Sequence, residues 1–425
     1  MFRPFFRRAA LCPLCAFLFS ALALRAAESR TVTVDECLAR AAKRSLALQA
    51  GAARTEAAAS RARQAGRRLN PKLEAEVENV AGTGDVSGFG AAETTLSLAQ
   101  EIELGAKRRT RSAAAEAEAA VSRAEETVLR HALLVETRRA ALAALAAQER
   151  VRLAEELLAL TREAEAVAVA RERAGKVTAL ETGRAAAETA RAELDLGARQ
   201  AEQRDAVREL AALLGEAEPT FDAVAGALEA PPAELPPADA FVLRAAAHPA
   251  LLAADARTGA LGAQVRSEEA AAAPNLEVAA GVRRFQESED FGFVAGVGVE
   301  LPLFNRNRDA VRAAEAEREA ARLDAAEARL KNDAAIRRLH ARLQALAEQE
   351  ARLREALVPA TERALGLVRQ AHAQGKAGTL DVIEARRAVA EARSSLIEAR
   401  AGYASVRISL DERAGEVAPP VSQVP

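Results

Sequence analysis

The spacing of apolar positions changes period several times along this chain, and the changes come twice in the same order. Residues 34–68 are Ala-rich without an internal Pro, which predicts a helix opened by Thr33 or Asp35. In NPKLEAEVENVAG, Asn70 to Gly82, the pattern alternates, with Leu73, Ala75 and Val77 on one side and Glu74, Glu76 and Glu78 on the other. ETTLSLAQEIEL, Glu93 to Leu104, alternates again with Leu96, Leu98 and Ile102 broadly in phase. Strands over 72–81 and 93–104 therefore form a hairpin around a Gly-rich loop. The order then repeats: a helix over 239–271, APNLEVAAGVRRF and FGFVAGVGVELPLF, with strands over 275–285 and 291–303.

Each hairpin is followed by a long helical pattern. From Lys107 to Arg173 there is neither Pro nor Gly, so a single rod of roughly 100 Å is predicted. Leu153, Leu157, Leu160, Ala164 and Val167 follow a four-and-three spacing, read as a coiled-coil seam. In the second half Leu339, Leu343, Leu346, Leu353, Leu357, Ala360, Ala364 and Leu367 keep the rhythm, interrupted at Glu350, and Pro359 should bend the rod. Both rods reverse at similar turns, GKVTALETGRAAAET from Gly175 and GKAGTLDVIEARRAV from Gly375. Val382, Val389, Leu396, Tyr403 and Leu410 recur every seven residues, so the second return leg packs along its rod.

Equivalent positions lie close to 200 residues apart: Pro71 with Pro274, Leu104 with Leu303, Leu180 with Leu380. One unit is used twice. The expected division is a first repeat over 28–214 with its tip at 174–180 and a second repeat over 239–415 with its tip at 374–380. A connector at 215–238 is rich in Pro, and 416–425 form a tail. Each rod is then partnered by two shorter helices stacked end to end.

Composition fits long helices rather than large globular cores: half the residues are apolar, yet aromatics are 3% and Trp is absent. Arg3, Arg7 and Arg8 precede an apolar run over 9–24, and Ala21-Leu22-Ala23 offers a cleavage site, so residues 1–23 read as a signal peptide, with cleavage as late as 27. Leu14 argues against lipid attachment at Cys15, and the mature chain keeps only Cys37, so no internal disulfide forms. Loss of three arginines takes the formal charge of −2 to about −5, which gives nucleic acid nothing to bind.

Four strands need an explanation. An isolated hairpin is marginal in water. Strands of this length can cross an outer membrane, but the smallest closed barrels have about eight strands. Three copies would supply twelve, with the rods continuing below as a helical tunnel. The fold class expected is therefore mainly α with a small membrane β part, a duplicated helix, β-hairpin and long-helix unit.

These segments, NPKLEAEVENVAG, TTLSLAQEIELGAKR and GKAGTLDVIEARRAVAEAR, resemble the TolC-like outer-membrane factors, and the first hairpin resembles the branch serving cobalt, zinc, cadmium or copper efflux. The resemblance covers nearly the whole mature chain. It implies an outer-membrane location and a homotrimeric 12-stranded barrel above an α-helical periplasmic tunnel. It also implies docking on a periplasmic adaptor of the membrane-fusion type and an inner-membrane pump of the resistance-nodulation-division class. Adaptor contacts would fall on Gly175, Lys176, Val177, Leu180, Gly375, Lys376, Thr379 and Leu380. Of the chain's six lysines, two stand at these turns, although a solvated lysine at a plain hairpin turn is the alternative. Glu181, Asp381 and Glu384 would form acidic rings at the mouth, a candidate cation gate. Phe89, Phe285, Phe291 and Phe293 stand where an aromatic girdle is expected.

No enzyme is indicated. His131, His248, His340 and His372 are scattered along the sequence without ligand spacing, so no cofactor, metal site or catalytic pair is expected. A drug-efflux or type I protein-secretion component would share the architecture, and a periplasmic coiled-coil scaffold would share the heptads without needing the hairpins.

Overall fold

The computed structural model describes residues 30–232 and 234–416. The expected leader, and all but Glu416 of the expected tail, lie outside the described residues. After β1, Thr31–Val32, Thr33 opens α1, Val34–Arg44, with a reciprocal capping box. The Thr33 hydroxyl accepts from the Glu36 N–H at 3.2 Å, and the Glu36 carboxylate accepts from the Thr33 N–H at 3.0 Å. The single helix expected over 34–68 is divided at Ser45, whose ψ of 118° ends α1 and whose hydroxyl caps α2, Leu46–Ala65. Serine offers the backbone a local acceptor, and here that competes successfully with the helix.

β2, Lys72–Glu78, is shorter than its predicted span because Asn79 and Ala81 turn to φ 57°. β3, Glu93–Glu103, leads through Gly105 and Ala106, both at φ 64°, into α3, Lys107–Arg173, which runs unbroken for 67 residues. A side chain on Gly105 would come within 2.3 Å of the Ala273 methyl, so this corner has no room for one. α4, Ala179–Leu213, returns along α3 and is followed by β4, Ala223–Val224. The helix expected over 239–271 is also two: α5, Ala238–Ala245, and α6, Pro249–Ala271, with Pro249 in the first turn and His248 as cap.

β5, Asn275–Phe285, and β6, Phe291–Val299, follow. β6 stops short of residue 303, because Pro302 has no N–H for a ladder. α7, Arg308–Arg352, passes through a π turn, Leu353–Leu357, into α8, Val358–Ala373. Pro359 cannot donate to the carbonyl four residues back, so the helix widens just before it. α9, Thr379–Arg413, is the second return leg.

The two hairpins join. β3 pairs antiparallel with β5, giving one sheet in the order β2-β3-β5-β6. Register places Leu73 opposite Leu98, Leu98 opposite Ala280 and Ala280 opposite Ala295, and the next row is Ala75, Leu96, Val282 and Phe293. Facing residues share a side of the sheet, so one face is mainly apolar, with Gln100 beside Val278 and Val297, and Thr94 and Arg284 in the row nearest the hairpin loops. It is also bare: Leu73 is 71% exposed and Phe293 96%. The other face carries Arg283, which reaches Glu93 at 2.7 Å, Glu78 at 2.8 Å and the Thr95 hydroxyl at 2.9 Å. β2 and β6 leave an open edge each.

Below the sheet, α2 and then α4 pack on α3, while α6 packs on α7 and α9 on α8. Midway along α3, Ala140, Ala141, Ala144 and Leu145 meet Cys37, Leu210, Phe221 and Val224. The Gln148 side chain bridges into this belt, donating to the Val224 carbonyl at 3.0 Å and accepting from its N–H at 2.8 Å. Burial pushes the Cys37 thiol up to about 11, so it acts as a small apolar filler. The second-half counterpart gathers Phe241, Ile336, Leu343 and Leu410, with the Arg244 guanidinium 4.3 Å from the Phe241 ring centre.

The predicted seam on α3 is rotated. Val151, Ala154, Leu158 and Ala168 are the buried residues, whereas Val167 is 50% exposed. On the second rod, Leu343 and Leu346 are buried but Leu357 and Leu367 are exposed, and Leu365 is buried instead. Where the heptad lapses, Glu350 is only 1% exposed and accepts from Arg400 Nε at 2.9 Å. Removing one member of a buried pair strands the other. Glu350→Leu is expected to cost about 2 kcal/mol in a denaturant melt, scaled down because Arg400 is partly exposed, and Glu350→Leu with Arg400→Met should recover most of it.

Candidate functional site

The tips are built twice by the same local rule. At the end of α3, Gly175 takes φ 67°, the Lys176 N–H donates to the Arg171 carbonyl at 2.9 Å and the Gly175 N–H to the Glu172 carbonyl at 2.8 Å. At the end of α8, Gly375 takes φ 74°, the Lys376 N–H donates to Ala371 at 2.9 Å and the Gly375 N–H to His372 at 3.0 Å. Both are Schellman closures, which need a left-handed residue after the cap and so favour glycine. Lys176 and Lys376 are exposed, as are Leu180 and Leu380, while Val177 and Thr379 are half-buried.

Side chains tie the two tips together. The Thr379 hydroxyl donates to Glu181 at 2.6 Å, across from the second tip to the first. His372 donates from Nδ1 to the Ala377 carbonyl at 3.0 Å and offers Nε2 to Arg171 at 2.7 Å. Asp381 accepts from the Gly378 N–H at 2.7 Å and so closes the start of α9. Of the three candidate gate residues, Glu181 and Asp381 are thus occupied within the chain, and Glu384 is exposed on α9. Sequence reading missed His372 as a tip residue; its place three residues before Gly375 was the available signal.

This two-repeat layout, with a sheet above and paired hairpins below, matches a known family along most of its length. A family profile described as Outer membrane efflux protein matches residues 37–216 and 243–416. The chain belongs to that family. It is 34% identical over 284 residues to the nickel and cobalt resistance protein CnrC of Cupriavidus metallidurans, covering 67% of this chain and 66% of the relative. It is 28% identical over 363 residues to the cobalt-zinc-cadmium resistance protein CzcC of the same organism, covering 85% of each. Among solved structures, the outer-membrane channel OprN superposes with a TM-score of 0.76 at 19% identity, covering 91% of this chain and 93% of that one. The fold of this family member is that of the TolC-like outer-membrane channels. No helix among the described residues is long and apolar enough to cross a membrane.

The histidines are less scattered in space than in sequence. His131 on α3 and His248 at the α5–α6 junction stand edge to face, with ring centres 5.5 Å apart. His248 Nδ1 accepts from the Ala250 N–H at 3.1 Å, and His131 Nε2 is buried without a partner among the described residues. Burial holds both imidazoles below the ordinary histidine range; His248 is pushed further by His131 and Arg413, and Glu412 opposes the shift at both rings. Both rings are therefore neutral in the folded belt, whereas the unfolded chain takes up protons near about pH 6.5. Stability is complete above that pH and is lost as pH falls from it toward the depressed folded values. The melting temperature should drop on acidification through this window, and His131→Leu should flatten the dependence in a pH series of thermal melts.

Proposed function

We propose that three copies of this chain close a twelve-stranded barrel in the outer membrane and act as the passive exit duct of a tripartite efflux system for divalent heavy-metal cations. The observation that carries the membrane part is the sheet: one mainly apolar, bare face and two open edges, on strands of 7 to 11 residues. Unpaired N–H and C=O groups cannot end in lipid, so the edges of β2 and β6 must be met by neighbouring copies. The charged Glu78, Glu93 and Arg283 then line the water-filled side. The rods of repeats 28–214 and 239–415 continue the wall into the periplasm, with the connector 215–238 at mid-height.

The metal part rests on kinship. CnrC and CzcC are named for resistance to nickel, cobalt, zinc and cadmium, and likeness to CzcC extends over most of both chains. The tips at Gly175–Leu180 and Gly375–Leu380 are two equivalent turns per copy, six per trimer, offered to a periplasmic adaptor; an inner-membrane pump of the resistance-nodulation-division class supplies the energy. Glu181, Asp381 and Glu384 place carboxylates at the mouth, and carboxylate rings favour cations.

Deleting the gene should sensitise cells to nickel, cobalt, zinc or cadmium, with rescue by the intact gene. Sensitivity confined to drugs, or a lost secreted protein, would replace the metal reading with one of the other two. A lipid-face charge tests the barrel separately: Leu98→Arg, at a cost of about 2–4 kcal/mol per copy, should abolish heat-resistant trimers on gels of outer membranes. In single-channel recordings, Asp381→Asn with Glu384→Gln should lower cation preference.

A further inference from the structure

Next to the tips, α3, α4, α8 and α9 wall a cavity of about 690 Å³. That lies within the usual range for small-ligand pockets, roughly 300–1,000 Å³. A partner helix about 10 Å across with 5.4 Å per turn would fit fewer than two turns in it. Much of the lining is apolar, with Leu160, Val382 and Ile383 contributing from facing helices.

The charge in this cavity is unbalanced. Five arginines line it against three carboxylates, Glu163, Glu188 and Asp195. Arg191 and Arg387 both spend their charge on Glu188, each at 2.5 Å, and Arg171 faces the His372 ring nitrogen rather than an acid. Arg386 donates from Nη1 to the Leu160 carbonyl at 2.6 Å, and its buried Nε has no acceptor among the described residues. Arg369 has no ion pair among the described residues. Burial and the neighbouring Arg369 hold the Arg386 guanidinium below its usual range, against the pull of Glu163. A half-buried guanidinium with one buried N–H left without an acceptor gains from a charged partner that supplies one.

We propose that this cavity binds a small amphipathic anion, its apolar body against Leu160, Val382 and Ile383 and its carboxylate or sulfonate head on Arg386 and Arg369. The sign of the field disfavours the transported cations as occupants. An occupant fills the space between the two hairpins and restricts their movement past one another, so the cavity is also a place from which a small molecule would hold the tips in one arrangement.

The test uses the full chain in nonionic detergent and two dyes of similar size, 8-anilinonaphthalene-1-sulfonate and the uncharged N-phenyl-1-naphthylamine, each corrected for protein-free micelles. The anionic dye should saturate at one site per chain and bind at least tenfold more tightly than the neutral one. Arg386→Met should remove that preference while leaving neutral-dye affinity within about twofold. Arg369→Gln, at an exposed position that folding tolerates, should weaken the anionic dye at least threefold. Ile383→Trp, which fills the cavity and keeps both guanidiniums, should abolish binding of both dyes. Equal affinity for the two dyes, or anionic binding unchanged by Arg369→Gln and Ile383→Trp, overturns the proposal. None of these readings depends on metal transport or on barrel closure.

Discussion

The pairing of β3 with β5 is the contact on which the rest of the architecture depends. It spans eleven residue pairs, Glu93 with Phe285 through Glu103 with Asn275, and it turns two separate hairpins into one continuous wall. Because β3 runs into α3 and β5 follows α6, the same pairing sets α6 beside α3 beneath the sheet. Lys107 Nζ donates to the Asn275 side chain at 2.7 Å, and Arg111 bonds both Glu103 and the Ala65 carbonyl, so the corner between wall and rods is held by polar contacts that join α3 to β5, β3 and α2. Two edges remain open, and open edges beside an apolar face make a lone chain incomplete.

Small side chains make the lower part workable. The buried positions along α3 are largely alanine, including Ala140, Ala141, Ala144, Ala146, Ala147 and Ala154. Alanine brings helix axes close and leaves no thick core, which is why a chain with 3% aromatics can still pack. Within the helical part the aromatic residues gather at the belt, where Phe221 and Phe241 are almost fully buried in equivalent clusters of the two halves.

Much of this was legible in the sequence, for identifiable reasons. The span of α3 follows from the lack of Pro and Gly between Lys107 and Arg173, and the tips follow from glycine at two equivalent helix ends. Alternation located four strands, but nothing local could announce that β3 meets β5 across 172 residues or more of chain. The helix breaks were missed at Ser45 and His248, where side-chain caps compete with continuation. The seam was misjudged because a heptad assumes one partner, whereas α3 has α4 on one side and α9 on another; Leu157, Leu160 and Val167 consequently face the cavity. The His131–His248 pair and the buried Glu350 are tertiary facts that spacing does not encode.

The duplication is not symmetric in charge, and the asymmetry has a physical use. Arg162 on α3 bonds Glu193 on α4 at 2.8 Å; 200 residues later the signs are exchanged, with Glu362 on α8 bonded to Arg393 on α9 at 2.7 Å. Arg393 also reaches Glu156 on α3 at 2.9 Å, and Arg150 on α3 pairs with Glu398 at 2.7 Å. Had the second repeat kept the first repeat's glutamate at 393, it would face Glu156 as a like charge, which disfavours contact. The exchange lets α9 lie against α3 while each hairpin keeps its own internal pair. Exposed pairs of this kind contribute only about 0–1 kcal/mol each, so they select which helices are neighbours and in what register, and do little to lock them. The belt clusters and the sheet hold the upper molecule, while the hairpins near the tips are aligned by contacts weak enough to be exchanged.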